Sequence, residues 1–269
     1  MSPSAIDLIT YLFVVVALGA VSLKVRALNL GGVAACIFVG YLILLGGGWY
    51  WFLVMLVFFV ISTEFTKFRY SYKERFGTAQ EKGGARGWPN VLANGGVAAI
   101  FSLMEFRFGG GIYAVAFLGA MASATADTLA TEIGLLSKKE PRLITDLRKK
   151  VPAGSSGGVT SIGTLAALLA SLLISVTAMA LGIVDASPIE VLAIVTLGGI
   201  VGSIADSILG ATVQRIGICE SCGRITENLR HCSSPTRRLR GLGAIDNNVV
   251  NLLSTFIGAF STVVLFILI

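Results

Sequence analysis

The sequence predicts an all-α, polytopic integral membrane protein with about eight transmembrane helices, and three observations support this class. The 269-residue chain is 55% hydrophobic and only 13% charged, with a mean hydropathy of +0.83, which is unlike a water-soluble domain. Several apolar runs approach or exceed the roughly 20 residues that a membrane-spanning helix needs. Basic residues are confined to alternate gaps between these runs. A single transmembrane domain, residues 1–269, accounts for the chain.

Eight apolar runs define the predicted helices in chain order. They cover residues 6–23, 30–46, 49–63, 91–104, 111–136, 158–182, 188–213 and 247–269. The first run has no basic residue before it and no cleavage signal, so we expect it to remain as a helix rather than to be removed as a signal peptide. The run 91–104 is the shortest, because 14 residues form only about 21 Å of helix against a hydrocarbon core of about 30 Å.

The basic residues predict the orientation of the helices. Twenty of the 21 Lys and Arg residues lie in four alternate gaps, and only Arg107 lies in the others. Because basic loops stay in the cytoplasm, both termini are expected outside and the long loops at about 64–90, 137–157 and 214–246 inside. The net charge of +6 then reflects this bias and contact with membrane lipids, and no nucleic-acid partner is expected.

Short motifs repeat along the chain and predict parallel, helical-hairpin repeats. A Gly-Gly-Val sequence at 31–33, 95–97 and 157–159 opens three runs that leave the cytoplasm. Two returning runs carry Ala-Asp-Thr at 126–128 and Ala-Asp-Ser at 205–207. Both of these runs cross in the same direction, so the two halves are predicted to be parallel rather than inverted repeats.

Three acidic residues within the runs are the candidate catalytic groups. Asp127, Glu132 and Asp206 lie where an unpaired carboxylate is costly, and no basic residue lies within a run to neutralise them. Because Asp127 and Asp206 occupy equivalent repeat positions, they are predicted to share a Mg²⁺ ion. Glu132 lies about 140° from Asp127 around the helix and serves the same ion only if the helix is distorted. The alternative is that protonated acids form hydrogen bonds between helices.

Polar residues at the same depth are the candidate groups for binding a phosphate, a ribose or a base. Amides open two of the outward-going runs, and hydroxyl, amide and basic groups accompany them. The set is Asn90, Asn94, Asn247, Asn248, Asn251, Thr131, Ser207, Thr212, Gln214, Lys82 and Arg86. Asn90 or Asn247 alone would be interpreted as a helix cap, but five asparagines beside the acids exceed what capping requires. The two basic residues are equally well explained as ordinary cytoplasmic flanks.

A glycine-rich loop precedes the sixth run and is typical of a phosphate cradle. Ser156, Gly157, Gly158 and Thr160 follow Lys149-Lys150, and free N–H groups at a helix start attract anions. The segment 154–158 also matches G-x-S-x-G. A serine hydrolase is disfavoured because a nucleophile elbow needs a preceding strand and a nearby histidine, whereas the chain's single histidine lies elsewhere, among cysteines.

Cysteines and the histidine cluster in the loop 214–246. Cys219 and Cys222 form a C-x₂-C pair, and His231 is followed directly by Cys232. Three thiolates and an imidazole are suited to a structural zinc ion, and a disulfide is disfavoured in a reducing cytoplasm. The adjacent His-Cys pair leaves free thiols as an equal alternative.

Taken together, the motifs resemble those of the phytyl-phosphate kinase family. The matching segments occur in the family's order over about residues 20–269, and they are Asn94-Gly95-Gly96, Ala126 to Gly134, Gly157 to Thr160 with Gly163 to Ala166, Gly202 to Gln214, and Asn247 to Asn251. Members of this family are polytopic membrane proteins that were formerly classed as a domain of unknown function. Their activity is related to that of the CTP-using phytol and dolichol kinases.

The resemblance implies transfer of a phosphoryl group from a nucleoside triphosphate to a prenyl monophosphate of phytyl or geranylgeranyl type. By analogy with the related kinases, the expected donor is CTP with Mg²⁺. The expected partners are therefore a prenyl-phosphate lipid, the nucleotide and membrane lipids, at a site facing the cytoplasm. A CTP-dependent lipid cytidylyltransferase and a membrane transporter are the alternatives. A transporter usually places its acids near the bilayer midplane, whereas these lie toward the cytoplasmic ends.

Overall fold

The fold is a bundle of long apolar helices, described here by a computed structural model that covers residues 3–75 and 82–269. Within these ranges, seven helices are long and apolar enough to cross a membrane, and α3 is a short helix between two of them. The helices are α1 Ala5–Lys24, α2 Leu30–Lys67, α3 Tyr70–Arg75, α4 Trp88–Phe108, α5 Ile112–Gly134, α6 Ser161–Ala180, α7 Pro188–Thr212 and α8 Asn247–Leu268.

Helix α2 folds back on itself and accounts for the eighth predicted crossing. Gly48 has φ 69° and ψ −160°, a backbone conformation that ends one helical arm and starts another. A Cβ on Gly40 would lie 3.3 Å from the ring of Phe52, although the two residues would be about 18 Å apart along a straight helix. The arms 30–47 and 49–67 are therefore antiparallel, as predicted.

Helix α4 is longer than the apolar run that predicted it. It has 21 residues, or about 32 Å at about 1.5 Å per residue, which is sufficient for a complete crossing. Pro89 lies in its first turn, where a missing N–H is tolerated, and Gly109 ends it. The short estimate from 91–104 was wrong because Trp88 to Asn90 and Glu105 to Phe108 extend the helix with residues that are not uniformly apolar.

Helices α5 and α7 run parallel to each other and antiparallel to α6 and α8, which agrees with the predicted parallel repeat. A Cβ on Gly202 of α7 would overlap the Ser123 side chain of α5 and would lie 3.0 Å from the Ser254 carbonyl oxygen of α8. Small residues thus let the three backbones approach closely. This packing brings the two Ala-Asp motifs to the same depth in adjacent helices.

Two small antiparallel sheets lie in the loops, and the helical class is otherwise confirmed. The strands are β1 Arg142–Leu143, β2 Asp146–Lys150, β3 Gly158–Val159, β4 Ile216–Cys219, β5 Ile225–Thr226, β6 Arg230–His231 and β7 Ser234–Arg240. Their orders are β2-β1-β3 and β5-β4-β7-β6. The sequence did not predict them, since strands of two to seven residues with mostly exposed side chains carry no clear hydrophobic period.

Both sheets and the start of α4 lie at one end of the bundle, which we call the basic end because its loops hold 20 of the 21 basic residues. The start of α1 and the end of α8 lie at the opposite end. We expect cysteines introduced at Ser2 and Ile269 to react with an impermeant thiol reagent applied to intact cells, because the positive-inside rule orients the basic end inward. Labelling of these two positions only after permeabilisation would contradict the orientation.

Candidate functional site

A large cavity lies at the basic end between α5, α6, α7 and the two sheet-bearing loops. Its volume is about 760 Å³, within the range typical of small-molecule sites. Nine of the residues predicted to form the site line it: Asp127, Thr131, Ser156, Gly157, Gly158, Thr160, Ser207, Gln214 and Asn247. The folded chain therefore gathers side chains that are up to 120 residues apart in sequence.

The carboxyl groups of Asp127 and Asp206 meet beside this cavity. Asp127 lines it, and its carboxyl is within hydrogen-bonding reach of Asp206 on the parallel helix α7. Two carboxylates in contact repel each other unless a proton or a cation lies between them. The pair therefore fits either a shared proton or a bound divalent cation, and carboxylate oxygens are the ligands that Mg²⁺ prefers.

Helix α8 supports the second acid of the pair. Ser254 Oγ donates to Asp206 Oδ2 at 3.0 Å. The Asn251 amide, with its nitrogen turned toward Asp206, donates to the same oxygen at 3.2 Å. Ser123 Oγ in turn donates to the Ser254 carbonyl at 3.1 Å. Asn251 thus contacts Asp206 and does not line the cavity, so its predicted ligand-binding role stays a prediction. One oxygen of Asp206 stays outside these bonds.

Glu227 is a further acidic group at the cavity, and the sequence did not single it out. It lies in the segment between β5 and β6, lines the cavity and accepts a hydrogen bond of 2.5 Å from Ser156 Oγ. Burial raises the pKa of Glu227, and the Ser156 hydrogen bond opposes that rise. No sequence signal could have found it, because a glutamate in a polar loop is ordinarily exposed.

Two arginines hold this segment in place. Arg215, only 4% exposed, donates to the carbonyl oxygens of Glu227 and Asn228 at 3.1 Å and to Thr236 Oγ1 at 2.8 Å. Arg240 donates to the Ser156 carbonyl at 3.2 Å and also to carbonyls at the end of α7. The second sheet is thereby fixed to the wall of the cavity.

The glycine-rich loop does not lie directly at a helix start, where the phosphate cradle was predicted. Gly158 belongs to strand β3, its N–H donates to the Ser155 carbonyl at 2.9 Å, and α6 begins later, with Thr160 as its N-cap. Gly157 has φ 78°, and a Cβ there would lie 2.5 Å from that of Ala211. The two glycines therefore serve a turn and a close approach to α7, although both line the cavity.

Of the remaining predicted residues, some contribute polar groups to the cavity and others do not. Gln214 is buried near Glu227. Within the described residues, its Nε2 has no hydrogen-bond partner of normal geometry. Thr212 is exposed and donates to the Ile208 carbonyl at 2.7 Å. Asn248 lies beside Asp246, 3.5 Å from its carboxylate. Neither Thr212 nor Asn248 lines the cavity.

Glu132 lies outside the cavity and has a structural partner. Lys73 of α3 reaches its carboxylate at 2.5 Å, and both side chains are at most 4% exposed. Lys73 also donates to the carbonyls of Phe65 and Thr66 at 2.9 Å. No basic residue within a membrane run neutralises Glu132, as the sequence indicated, but Lys73 from the loop after α2 does so.

Arg86, Asn90 and Asn94 lie together at a separate, small cavity of about 40 Å³ beside the second arm of α2. Arg86 is buried and donates to Thr66 Oγ1 at 2.9 Å, and Asn94 Nδ2 donates to the Asn90 carbonyl at 2.9 Å. The Arg86 contact joins the segment before α4 to α2, and the Asn94 contact lies within α4. The side chain of Lys82 lies outside the described part of the structure, so its predicted role stays a prediction.

The cysteine and histidine side chains are brought together by the second sheet. The ligand atoms of Cys219, Cys222, His231 and Cys232 all lie within 4.8 Å of one another. None of the four lines the large cavity.

Comparison with known proteins places the chain in a family. The profile described as "Integral membrane protein DUF92" matches residues 13–259. The chain belongs to this family. Protein PGR of Arabidopsis thaliana is 32% identical over 90% of both chains. An uncharacterised membrane protein of Methanocaldococcus jannaschii is 32% identical over 72% of this chain and 78% of its own.

A third relative bears on the resemblance found from the motifs. Protein VTE6, chloroplastic, of Arabidopsis thaliana is 30% identical over 71% of this chain and 58% of its own. No solved structure matches the chain. The family assignment made from the motifs is thus confirmed, and the chain is an integral membrane member of DUF92.

The Ser156–Glu227 contact yields a prediction about pH. Removing the hydroxyl in Ser156→Ala removes a hydrogen bond that lowers the pKa of Glu227, so this pKa should rise further. If ionised Glu227 is needed, the acidic limb of the pH–activity profile should move to higher pH. Ser155→Ala is the matched control, because the Ser155 hydroxyl forms no hydrogen bond within the part of the chain that the structure describes. Identical profiles for the two variants would exclude the contact from function.

Proposed function

We propose that this protein is a membrane-embedded kinase that transfers a phosphoryl group from a nucleoside triphosphate, CTP by the family resemblance, to a prenyl monophosphate. The observation that carries the proposal is the Asp127–Asp206 pair at a cavity that is polar at the basic end and apolar between two membrane helices. That combination suits a substrate with a charged head and an apolar tail.

The apolar side of the cavity supports a lipid substrate. Leu165 and Leu168 of α6 and Ile204 of α7 line the cavity, and each is more than 40% exposed. In a membrane protein, exposed apolar side chains on membrane helices are accessible to lipid tails. A prenyl chain could therefore lie between α6 and α7 with its phosphate beside Asp127.

The depth of the acids supports a phosphate at the edge of the membrane. Asp127 is seven residues before the end of α5, and Asp206 is six before the end of α7, so both lie about 10 Å inside the basic end. A lipid phosphate sits at this level rather than at the bilayer centre. The same depth disfavours a transporter, whose ion and substrate sites usually lie near the midplane.

The residues present fit the Mg²⁺ that the resemblance implies. Asp127 and Asp206 would hold it, since hard oxygen ligands and an otherwise repelling pair of carboxylates suit a divalent cation. When bound, Mg²⁺ neutralises charge on the transferring phosphoryl group. Ser254 and Asn251 orient Asp206, and the Ser156–Glu227 contact holds the loop above the pair.

The reaction needs little further chemistry from the protein. An oxygen of the prenyl monophosphate attacks the γ-phosphorus of the nucleotide, the bond between the γ-phosphorus and the β,γ-bridging oxygen breaks, and the nucleoside diphosphate leaves with that oxygen. The attacking phosphate is already an anion near neutral pH, so no intramembrane general base is required. Positioning and charge stabilisation are the main tasks of the site.

The deciding experiment is to incubate the purified protein with each nucleoside triphosphate and with prenyl monophosphates of several lengths, and to analyse the products by mass spectrometry. We expect a prenyl diphosphate and a nucleoside diphosphate. A nucleotide-linked lipid with released pyrophosphate would instead show a cytidylyltransferase. Unchanged substrates with every nucleotide and Mg²⁺, in a folded preparation, would contradict the kinase.

A further inference from the structure

We infer that Cys219, Cys222, His231 and Cys232 bind a structural zinc ion that fastens the second sheet and so holds the Glu227 segment at the cavity. The inference does not depend on the nature of the reaction. Three thiolates and one imidazole form a donor set typical of structural zinc sites, which are four-coordinate and tetrahedral. The separation of the four ligand atoms, at most 4.8 Å, is close to the roughly 3.8 Å between sulfurs around a tetrahedral zinc.

The first pair of ligands lies on a tight turn that follows β4. The Cys219 N–H donates to the Arg224 carbonyl at 2.9 Å, and the Gly223 N–H donates back to the Cys219 carbonyl at 2.8 Å. Gly223 has φ 71°, which a residue with a side chain adopts only with strain. This closed turn directs both cysteine side chains of the C-x₂-C pair to one point.

The second pair lies on the hairpin between β6 and β7. His231 pairs with Ser234, and the two residues between them, Cys232 and Ser233, have φ values of 50° and 60°. Two consecutive positive φ values define a type I′ turn, which normally favours Asn or Gly. The turn brings the adjacent His231 and Cys232 side chains together, with Nδ1 and Sγ 3.2 Å apart. Adjacency in sequence is therefore no obstacle to joint ligation.

The second sheet needs such a fastening because it has almost no apolar core. Among its strand residues, the buried side chains are Ile216, Cys219 and Thr236, and most of the others are exposed. Small units with too few apolar contacts are commonly stabilised by a metal ion or by disulfides. Zinc here would join two hairpins on either side of residues 224–229.

The sheet in turn determines where Glu227 lies. Cys219 ends β4 and Thr236 lies beside it on β7, and Arg215 joins Thr236 to the carbonyl oxygens of Glu227 and Asn228. If the two hairpins separate, the Arg215 contacts lose their framework. Metal loss should therefore first affect the order of residues 224–229 and only then the cavity.

The test uses the full-length protein purified in detergent without added chelator. We expect about one zinc per chain by elemental analysis, and background zinc in Cys222→Ser and in Cys232→Ser. Cys36→Ser, which removes a cysteine within α2, is the matched control and should keep its zinc. Zinc that persists in Cys222→Ser, or a wild-type chain without metal whose intact mass shows a disulfide or four free thiols, would overturn the inference.

The positioning role needs a separate readout. Hydrogen exchange should show residues 216–240 losing protection after chelation and regaining it with zinc, while α5 to α8 stay protected. Cys222→Ser should have a lower melting temperature and the same loss of protection at residues 216–240. Unchanged protection after complete metal removal would contradict the fastening role.

Discussion

Asp127→Asn and Asp206→Asn are each expected to lower turnover by roughly 10³-fold or more, because each removes charge from the only pair of contacting carboxyls that the described structure shows at the large cavity. The amide keeps the size of the side chain. Since loss of a repelling carboxylate inside a helix bundle costs no stability, the melting temperature should stay the same or rise.

The matched control is Asp185→Asn, which changes an exposed carboxylate in the turn between α6 and α7, at the opposite end from the cavity. It should keep wild-type turnover. Turnover measured at several Mg²⁺ concentrations, with the melting temperature of each variant, distinguishes lost chemistry from lost folding. Near-normal turnover of either active-site variant in Mg²⁺ would remove that carboxylate from the proposed ion site.

The transmembrane part of the fold could be predicted almost completely from the sequence. Hydropathy and the distribution of basic residues gave eight crossings, including the division of α2 at Gly48, because helices in a membrane must be long, apolar and internally hydrogen-bonded. The shared depth of Asp127 and Asp206 followed from the repeated Ala-Asp motif. Parallel packing of α5 and α7 then brings the two acids into contact.

The loops were not predictable in the same way. Glu227 reaches the cavity only because Arg215, Arg240 and the second sheet fold over it, and these long-range contacts leave no periodic pattern in the sequence. The role of the glycine-rich loop is hard to read from sequence for a related reason. Gly157 is required by the close approach of Ala211, and a glycine needed for packing looks the same in sequence as one that admits a phosphate.

Glu132 shows the same limit within a helix. Its position on α5 is predictable, whereas its partner Lys73 comes from the short helix α3, which the hydropathy pattern does not reveal. An acid in a membrane run is a functional candidate by default. Only the three-dimensional contacts distinguish Glu132, which has a lysine partner, from Asp127 and Asp206, which contact each other. The contrast between Glu132 and Asp127 therefore rests on geometry and is open to a direct test.

Breaking the Lys73–Glu132 ion pair is expected to have the largest effect on stability. Both groups are buried, and removal of one partner leaves the other charge without compensation, at a cost of about 3–5 kcal/mol. We expect Lys73→Met and Glu132→Gln each to lower the melting temperature in detergent by many degrees, with a loss of folded protein on expression. Glu140→Gln, which breaks the exposed pair with Lys150, is the control and should change stability little.

The double variant Lys73→Met/Glu132→Leu decides between a structural and a catalytic role for Glu132. Replacing both charges with apolar side chains of similar size removes the unpaired ion that either single change leaves, so stability should recover in part toward that of the wild type. Recovery is partial because the buried Arg86 guanidinium also loses the Glu132 carboxylate. If Glu132 serves only to join α5 to α3 and the end of α2, turnover per folded molecule should recover as well, within several-fold. A double variant that is stable but inactive would return Glu132 to the active site, because restored packing would then have failed to restore the chemistry.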